Sequence, residues 1–319
     1  MKKLTAIILA VLMIAAMPLA LASCSSDAEY TIGIAQWAPH DALDAATKGF
    51  KDALIAEFGE DKLEFLDQNA QGDAPTCTTI INDFTTKNVD LIFANATPAL
   101  QTAASATTTI PILGTSVTEY GIALNKTLTD GVVGGNISGT SDLAPLDKQA
   151  DMLAELFPVA SYPTVALFYC SAEPNSLYQV DTIKPLLEAK GYTCNKISFT
   201  DTTDIQAQAA AAAANSVIYV PTDNTVANNT TAVLGAIGST PLVAGEEGIC
   251  KGCGVATLSI DYYELGKITG QMAAKILKGE AKISEMKIEY AAAQTKKYMA
   301  SRATALNITI PSDYVAIAE

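Results

Sequence analysis

Short apolar runs alternate with segments of helical periodicity along most of this chain. Residues 30–36 read as a strand, and 41–58 follow with Leu43, Ala46, Phe50, Leu54 and Phe58 at helical spacing. Residues 63–66 predict the next strand, and 77–87 a helix with Ile80, Ile81 and Phe84 on one face. Residues 91–94 are continuously apolar, as in a strand covered on both sides. Residues 98–107 predict a helix that opens on proline, which suits a first turn, and 110–114 a strand. The pattern then restarts with a helix over 146–157, stopped by Pro158. A strand at 164–169, a helix at 178–190 ended by Gly191, and strands at 193–199, 216–220 and 241–244 follow, with helices at 205–214 and 225–237 between them.

Two successive β-α-β runs predict an α/β fold of two doubly wound, Rossmann-like lobes, each a parallel sheet with helices on both faces. The first lobe is expected at 30–138 with about 261–284, and the second at 139–260 with about 285–319. Residues 132–137 and 255–260 lie where the chain would pass between lobes. Gly131, Gly134, Gly135 and Gly139 suggest a hinge there, against the reading that they only serve turns.

The N-terminus departs from this alternation. Lys2 and Lys3 precede an apolar run over 4–21, broken only by Thr5 and Pro18, and Leu21-Ala22-Ser23-Cys24 closes it. This order predicts a lipoprotein signal peptide over 1–23, lipidation of Cys24 and a tether over 24–29. The protein would then be extracytoplasmic and lipid-anchored to the bacterial cell membrane. A signal-anchor helix is the alternative, since the run is near the ~17-residue minimum for a span.

Charge and cysteine usage narrow the function. The formal net charge is -14, and nothing forms a basic face, so nucleic acid is not an expected partner. Cys77, Cys170, Cys194, Cys250 and Cys253 remain beside Cys24, an odd number for an exported chain. Cys250 and Cys253 either close a small disulfide or stay as free thiols. Gly245, Gly248, Gly252 and Gly254 around them suggest a loop. His40 is the sole histidine and no second Cys-x-x-Cys occurs, so no metal site and no cofactor are expected. Nucleophile-elbow, phosphate-loop and dinucleotide signatures are absent, which argues against an enzyme.

In doubly wound sheets ligands bind beyond the carboxyl ends of the strands. The loops to inspect are 36–40, 69–71, 95–97, 115–116, 171–176, 221–224 and 245–247. Thr97-Pro98 opens a helix whose free amides would attract a carboxylate. Asp223 offers a partner for an ammonium, although capping alone also explains an Asp at a helix start. Trp37, the only tryptophan, either stacks on a ligand or plugs a lobe surface. His40 beside Asp41 reads as a helix-start residue.

These loops resemble those of one family of ABC-transporter substrate-binding lipoproteins that includes tryptophan- and tyrosine-binding proteins. The likeness runs through Gln36, His40, Ala42-Leu43-Asp44, Gly49-Phe50, Asn69-Ala70-Gln71-Gly72-Asp73, Asp90-Leu91-Ile92, Thr97-Pro98-Ala99 with Gln101, and Ile110-Pro111-Ile112. It continues in Gly135-Asn136-Ile137-Ser138-Gly139, Ser141-Asp142, Glu173-Pro174-Asn175-Ser176 and Val220-Pro221-Thr222-Asp223-Asn224. It closes in Asp261-Tyr262-Tyr263, Leu265-Gly266 and Ile276-Leu277-Lys278-Gly279-Glu280. The resemblance implies a type I periplasmic-binding-protein fold with three interlobe crossings and no catalysis. It implies delivery of an amino acid, such as tryptophan, tyrosine or phenylalanine, to an ABC permease and its ATPase. Thr97 and the amides after it would hold the carboxylate, and Asp223 with Asp261 the ammonium. The residues expected in the cleft are Gln36, Trp37, Asn69, Thr97, Pro98, Ala99, Ser116, Asn136, Asn175, Ser176, Thr222, Asp223, Asn224, Glu246 and Asp261. The rival readings are a ligand sensor signalling to a membrane partner and a surface enzyme on the same scaffold.

Overall fold

The structure is a computed structural model that describes residues 28–291 and 293–318. The expected signal peptide and Cys24 lie outside the described residues.

The first sheet has strands β1 (Tyr30–Gln36), β2 (Leu63–Asn69), β3 (Leu91–Asn95), β4 (Ile112–Val117) and β5 (Ile137–Ser141), with a late two-residue strand, β11 (Glu289–Tyr290), at its edge. Every pairing in it is parallel. All five side chains of β3 are buried, which explains why its sequence shows no polar alternation. Helices α1 (Asp41–Phe58), α2 (Ala74–Lys87), α3 (Thr97–Ala106) and α4 (Tyr120–Leu124) connect these strands. Leu43, Ala46, Phe50 and Leu54 of α1 are buried as their spacing predicts. Phe58 sits at the rim, where its ring packs 4.9 Å from that of Tyr30.

The second sheet holds β6 (Thr164–Cys170), β7 (Thr193–Phe199), β8 (Val217–Val220), β9 (Leu242–Ala244), β10 (Ala256–Ile260), β12 (Gln294–Tyr298) and β13 (Val315–Ala316). Only the β10–β12 pairing is antiparallel. Its helices are α5 (Leu146–Leu156), α6 (Pro174–Ala189), α7 (Ile205–Ala212), α8 (Asn224–Ala227), α9 (Thr230–Ile237), α10 (Glu247–Cys253) and α12 (Ala300–Ala305). The single helix expected over 225–237 is two, because Asn228-Asn229 interrupts it and Asn229 becomes the cap position of α9. The expected loop around Cys250 is helix α10, started by the Glu246 side chain, which accepts hydrogen bonds from the amides of Gly248 and Ile249. Cys250 and Cys253 are free thiols there and no disulfide joins them. Both are buried in the apolar cluster with Ile249 and Met299, which is where the helix directs them.

Helix α11 (Tyr262–Leu277) returns from the second sheet and lies on α1. Contact there is backbone to backbone: a Cβ on Gly266 would stand 2.0 Å from the Ala46 carbonyl oxygen, and one on Gly49 2.0 Å from that of Tyr263. Met272, Ala273 and Ala274 of α11 join the cluster formed by Ile32, Phe50 and Phe93.

The chain passes between sheets three times: after Ser141, between Ile260 and Tyr262, and between Tyr290 and Gln294. The crossings therefore lie beyond the expected changes of lobe at 138/139 and 284/285. The glycine-rich stretch is not a crossing. Gly131, Gly134 and Gly135 take φ of 79°, 79° and 65° in turns before β5, bridged by Thr129–Val132 and Gly134–Ile137. Since β5 runs parallel to its neighbours, these turns lie at the end of the sheet opposite the carboxyl ends. Residues 256–260 are likewise a strand within the second sheet.

Candidate ligand-binding cleft

The carboxyl ends of the two sheets face each other across a cleft. Its first-lobe wall is His40 and Leu43 at the start of α1, with Ser116 and Thr118 at the end of β4. Asn175 at the start of α6, Thr222, Asp223, Asn224 and Ala227 around α8, and Glu246 before α10 form the second-lobe wall. Asp142 and Tyr262 come from the first two crossings. The cleft holds about 290 Å³ of space between atoms, of which only about 20 Å³ admits the centre of a water. It is therefore a narrow slot rather than a roomy chamber.

Local chemistry explains how each wall is set. Glu173, buried behind the second lobe, accepts from the Asn224 amide and side chain, the Thr225 amide and hydroxyl, and the Asn175 side chain, over 2.7–3.1 Å. Gln179 holds the neighbouring loop, donating to the Thr222 hydroxyl at 2.5 Å and accepting from the Thr222 amide at 3.2 Å. The lobes touch through Thr118 and Thr222, whose hydroxyls are 3.3 Å apart, and through His40 Nε2 and Asn224 Oδ1, also 3.3 Å. Because the Asn224 Nδ2 donates to Glu173 at 2.8 Å, its Oδ1 is the acceptor toward His40. His40 Nε2 then carries the hydrogen, and Nδ1 is a bare acceptor. Burial holds the imidazole below its usual pKa, so it is neutral at pH 7.

Three carboxyls meet in the slot and no lysine or arginine lines it. Burial pushes Asp142 up to about 6, and Asp223 and Glu246 up to about 7, with the Glu173 charge adding to the effect on Asp223. Their hydrogen bonding differs. Asp223 accepts from the Val226 amide at 2.9 Å and the Cys170 amide at 2.7 Å, one on each oxygen. Both Glu246 oxygens accept amides of α10. Asp142 receives the Tyr262 hydroxyl on Oδ2 at 3.0 Å, while its Oδ1 is buried with no partner. His40 Nδ1, Ser116 Oγ and Asn175 Oδ1 are also buried and partnerless, so four residues of this one cleft each keep an unmatched polar atom. Leaving such atoms unmatched costs about 1–3 kcal/mol each, and matching them is what a ligand can supply.

Residues 31–319 match the family described as ABC transporter substrate binding protein. The chain belongs to that family. It is 34% identical over 264 residues to a tyrosine-binding protein of Clostridioides difficile strain R20291, covering 80% of this chain and 75% of that one. It is similar to a solved ABC domain in complex with L-Trp from Streptococcus pneumonia, with TM-score 0.85, 29% identity and coverage of 89% and 97%. A ligand-free, open substrate binding protein with adhesive properties from Clostridium difficile is 32% identical with coverage of 90% and 99%, yet superposes with TM-score only 0.69. The lobes are drawn together here, touching at Thr118–Thr222 and His40–Asn224 across the slot. The fold is that of type I periplasmic binding proteins, as the resemblance implied, and the family is one of solute-binding proteins rather than enzymes.

In this substrate-binding protein the expected site residues divide. Ser116, Asn175, Thr222, Asp223, Asn224 and Glu246 line the cleft. Ser176 stands behind it, its hydroxyl 3.4 Å from the Thr222 carbonyl. Gln36 is tied to Ala38, Asp44 and Thr47 over 2.6–2.9 Å. Asn69 accepts the Gln71 amide in a turn on the outer face. Trp37 packs on the first-lobe core and is not among the lining residues. Thr97, Pro98 and Ala99 form the first turn of α3 outside the slot, with the cap position on Ala96, and Pro98 has no amide hydrogen to offer. Asn136 bonds the Thr107 and Ile110 carbonyls at the far end of the sheet. Asp261 caps α11 in an outer crevice, accepting the Glu264 amide. His40, Leu43, Thr118, Asp142, Ala227 and Tyr262 complete the lining without having been expected there. Ser141-Asp142 and Asp261-Tyr262-Tyr263 stood within the family likeness, and that likeness was the signal in the sequence that could have found them.

Proposed function

We propose that this protein is the extracytoplasmic receptor of an ABC importer and that its lobes close on an amino acid with an aromatic side chain. One observation carries the reading: a closed, narrow cleft gathers carboxyls and unmatched polar atoms from both lobes, with no lysine or arginine among its lining residues. Such a site favours a small solute bearing a positive charge. The Leu43 and Ala227 side chains and the Tyr262 ring supply apolar wall for the rest of it. The bound L-Trp of one relative and the name of the tyrosine-binding relative support the aromatic class. Permease and ATPase are the partners that family membership supports.

Thermal-shift screening of the twenty amino acids tests the ligand class. Saturation at ~100 times the dissociation constant adds ~2.7 kcal/mol, a readily measured rise in melting point. Tryptophan, tyrosine or phenylalanine should give the largest rise, and no rise with any of them would remove that class. Lipid attachment at Cys24 is part of the same proposal. Mass spectrometry of protein extracted from membranes should find Cys24 as an acylated N-terminus, and an intact Met1 would contradict it.

A further inference from the structure

The unmatched atoms of the cleft differ in kind, and the difference points to how a ligand lies in it. Three of the four are acceptors. Asp142 Oδ1 belongs to a carboxyl whose other oxygen is occupied by Tyr262 at 3.0 Å. Asn175 Oδ1 is the carbonyl of an amide whose Nδ2 is engaged by the Thr222 carbonyl at 2.9 Å and Glu173 at 3.1 Å, which sets the orientation of the group. His40 Nδ1 is bare because Nε2 bonds Asn224. The fourth atom, Ser116 Oγ, has a hydrogen to give.

A primary ammonium carries three N–H donors and no acceptor. Resting on the amino-acid reading above, we propose that Asp142, Asn175 and His40 together hold the ligand's ammonium, with the Ser116 hydroxyl left for its carboxylate. Asp223 and Glu246, whose oxygens already accept backbone amides, shape the loops instead. This moves the ammonium away from Asp223 and Asp261, where the sequence placed it.

The arrangement also links binding to closure. His40 comes from the first lobe, Asn175 from the second, and Asp142 from the segment joining them. Tyr262, on another crossing, fixes the Asp142 carboxyl. An ammonium seated there touches both lobes and a crossing, so its three bonds form together only when the lobes meet. Tyr262 is on this account a positioning residue that acts through Asp142.

The test compares the dissociation constants of L-tyrosine and L-tryptophan with those of their des-amino analogues, 3-(4-hydroxyphenyl)propionate and 3-(indol-3-yl)propionate, by calorimetry on the full chain. Wild type should favour the amine-bearing member of each pair by at least ~100-fold. Asp142→Asn should reduce that ratio at least tenfold while leaving the des-amino constants within about threefold. Tyr262→Phe, which keeps the ring and the fold of the crossing, should reduce it by about three- to tenfold. Asp223→Asn should leave the ratio unchanged even where overall affinity drops. A wild-type ratio retained in both Asp142→Asn and Tyr262→Phe, or collapsed only in Asp223→Asn, overturns the placement and leaves the receptor reading standing. A wild type that binds neither amino acid overturns both.

Discussion

Ala96 and Ser116 hold unusual backbone at the cleft end of the first sheet. Ala96 is fully buried at φ 89° and ψ 157°, a region essentially reserved for glycine, and Ser116 takes φ 52° at the irregularity that ends β4. Neighbouring bonds keep Ala96 there: its amide donates to the Thr115 carbonyl at 3.0 Å and its carbonyl accepts the Leu100 amide at 3.1 Å. Such conformations cost about 1–3 kcal/mol, more than glycine loses in chain entropy. Ala96→Gly should therefore raise the unfolding free energy by about 1 kcal/mol in urea titrations, and a fall of that size would show that the conformation is unstrained. Much at this scale was illegible in the sequence. Asp142 and Asp223 are the same residue type in similar polar surroundings, and only the folded neighbours reveal that one keeps a free oxygen while the other has none.

Helix α11 owes its seat on α1 to small residues at the crossing point. A methyl group on Gly266 has nowhere to go, since its nearest neighbour would be the Ala46 carbonyl oxygen at 2.0 Å. Gly235 in α9 is the contrasting case: exposed, helical and with nothing within 4 Å of an added Cβ. Gly266→Ala should cost about 1–3 kcal/mol through forced separation of the helices, whereas Gly235→Ala should gain about 0.5–1 kcal/mol from helix propensity. Chemical denaturation of the two variants checks both, and equal effects would refute the packing argument. Elements were more legible than residues. The apolar spacing of α1 and the continuous apolar run of β3 survive into the fold because burial produced them. The division between α8 and α9, and the helix at Cys250, were not legible: the first turns on the Asn228-Asn229 turn, where the Asn229 side chain donates back to the Thr225 carbonyl, and the second on capping by Glu246.

Across the whole molecule, closure buries acidic groups, and this makes stability depend on pH. Asp142, raised to about 6, and Asp223 and Glu246, raised to about 7, retain protons in the closed fold that the unfolded chain gives up near pH 4. Their contribution is fully present below about pH 4 and falls as pH rises through 6 to 7. His40, lowered by burial, acts in the opposite sense below its usual 6.5, one group against three. Surface carboxylates lowered by their partners, such as Asp151 beside Lys190 and Asp313 beside Lys296, change only below about pH 4. The unliganded protein should thus melt at a higher temperature at pH 5 than at pH 7.5 in scanning calorimetry. A melting point that climbs over that interval contradicts the burial of the trio. An ammonium beside Asp142 reverses the preference, favouring the ionised carboxylate. Amino-acid binding at pH 6.5 should accordingly release protons, seen as an enthalpy that changes with the ionisation heat of the buffer, and net uptake would count against that contact.

The order of apolar runs and helical periods was sufficient for the α/β class, because parallel sheets covered on both faces by helices require that pattern, and its restart after residue 145 marked the second lobe. The series of short polar motifs at the strand ends was sufficient for the family. The tertiary structure decided where the chain crosses between lobes, that Cys250 and Cys253 stay unpaired, and which polar atoms in the cleft lack a partner. The thiols are held apart by the helix that the Glu246 cap starts, and the crossings and orphan atoms are properties of groups distant in the chain. Asn224 meets His40 and Tyr262 meets Asp142 only after the sheets have formed and the lobes have come together.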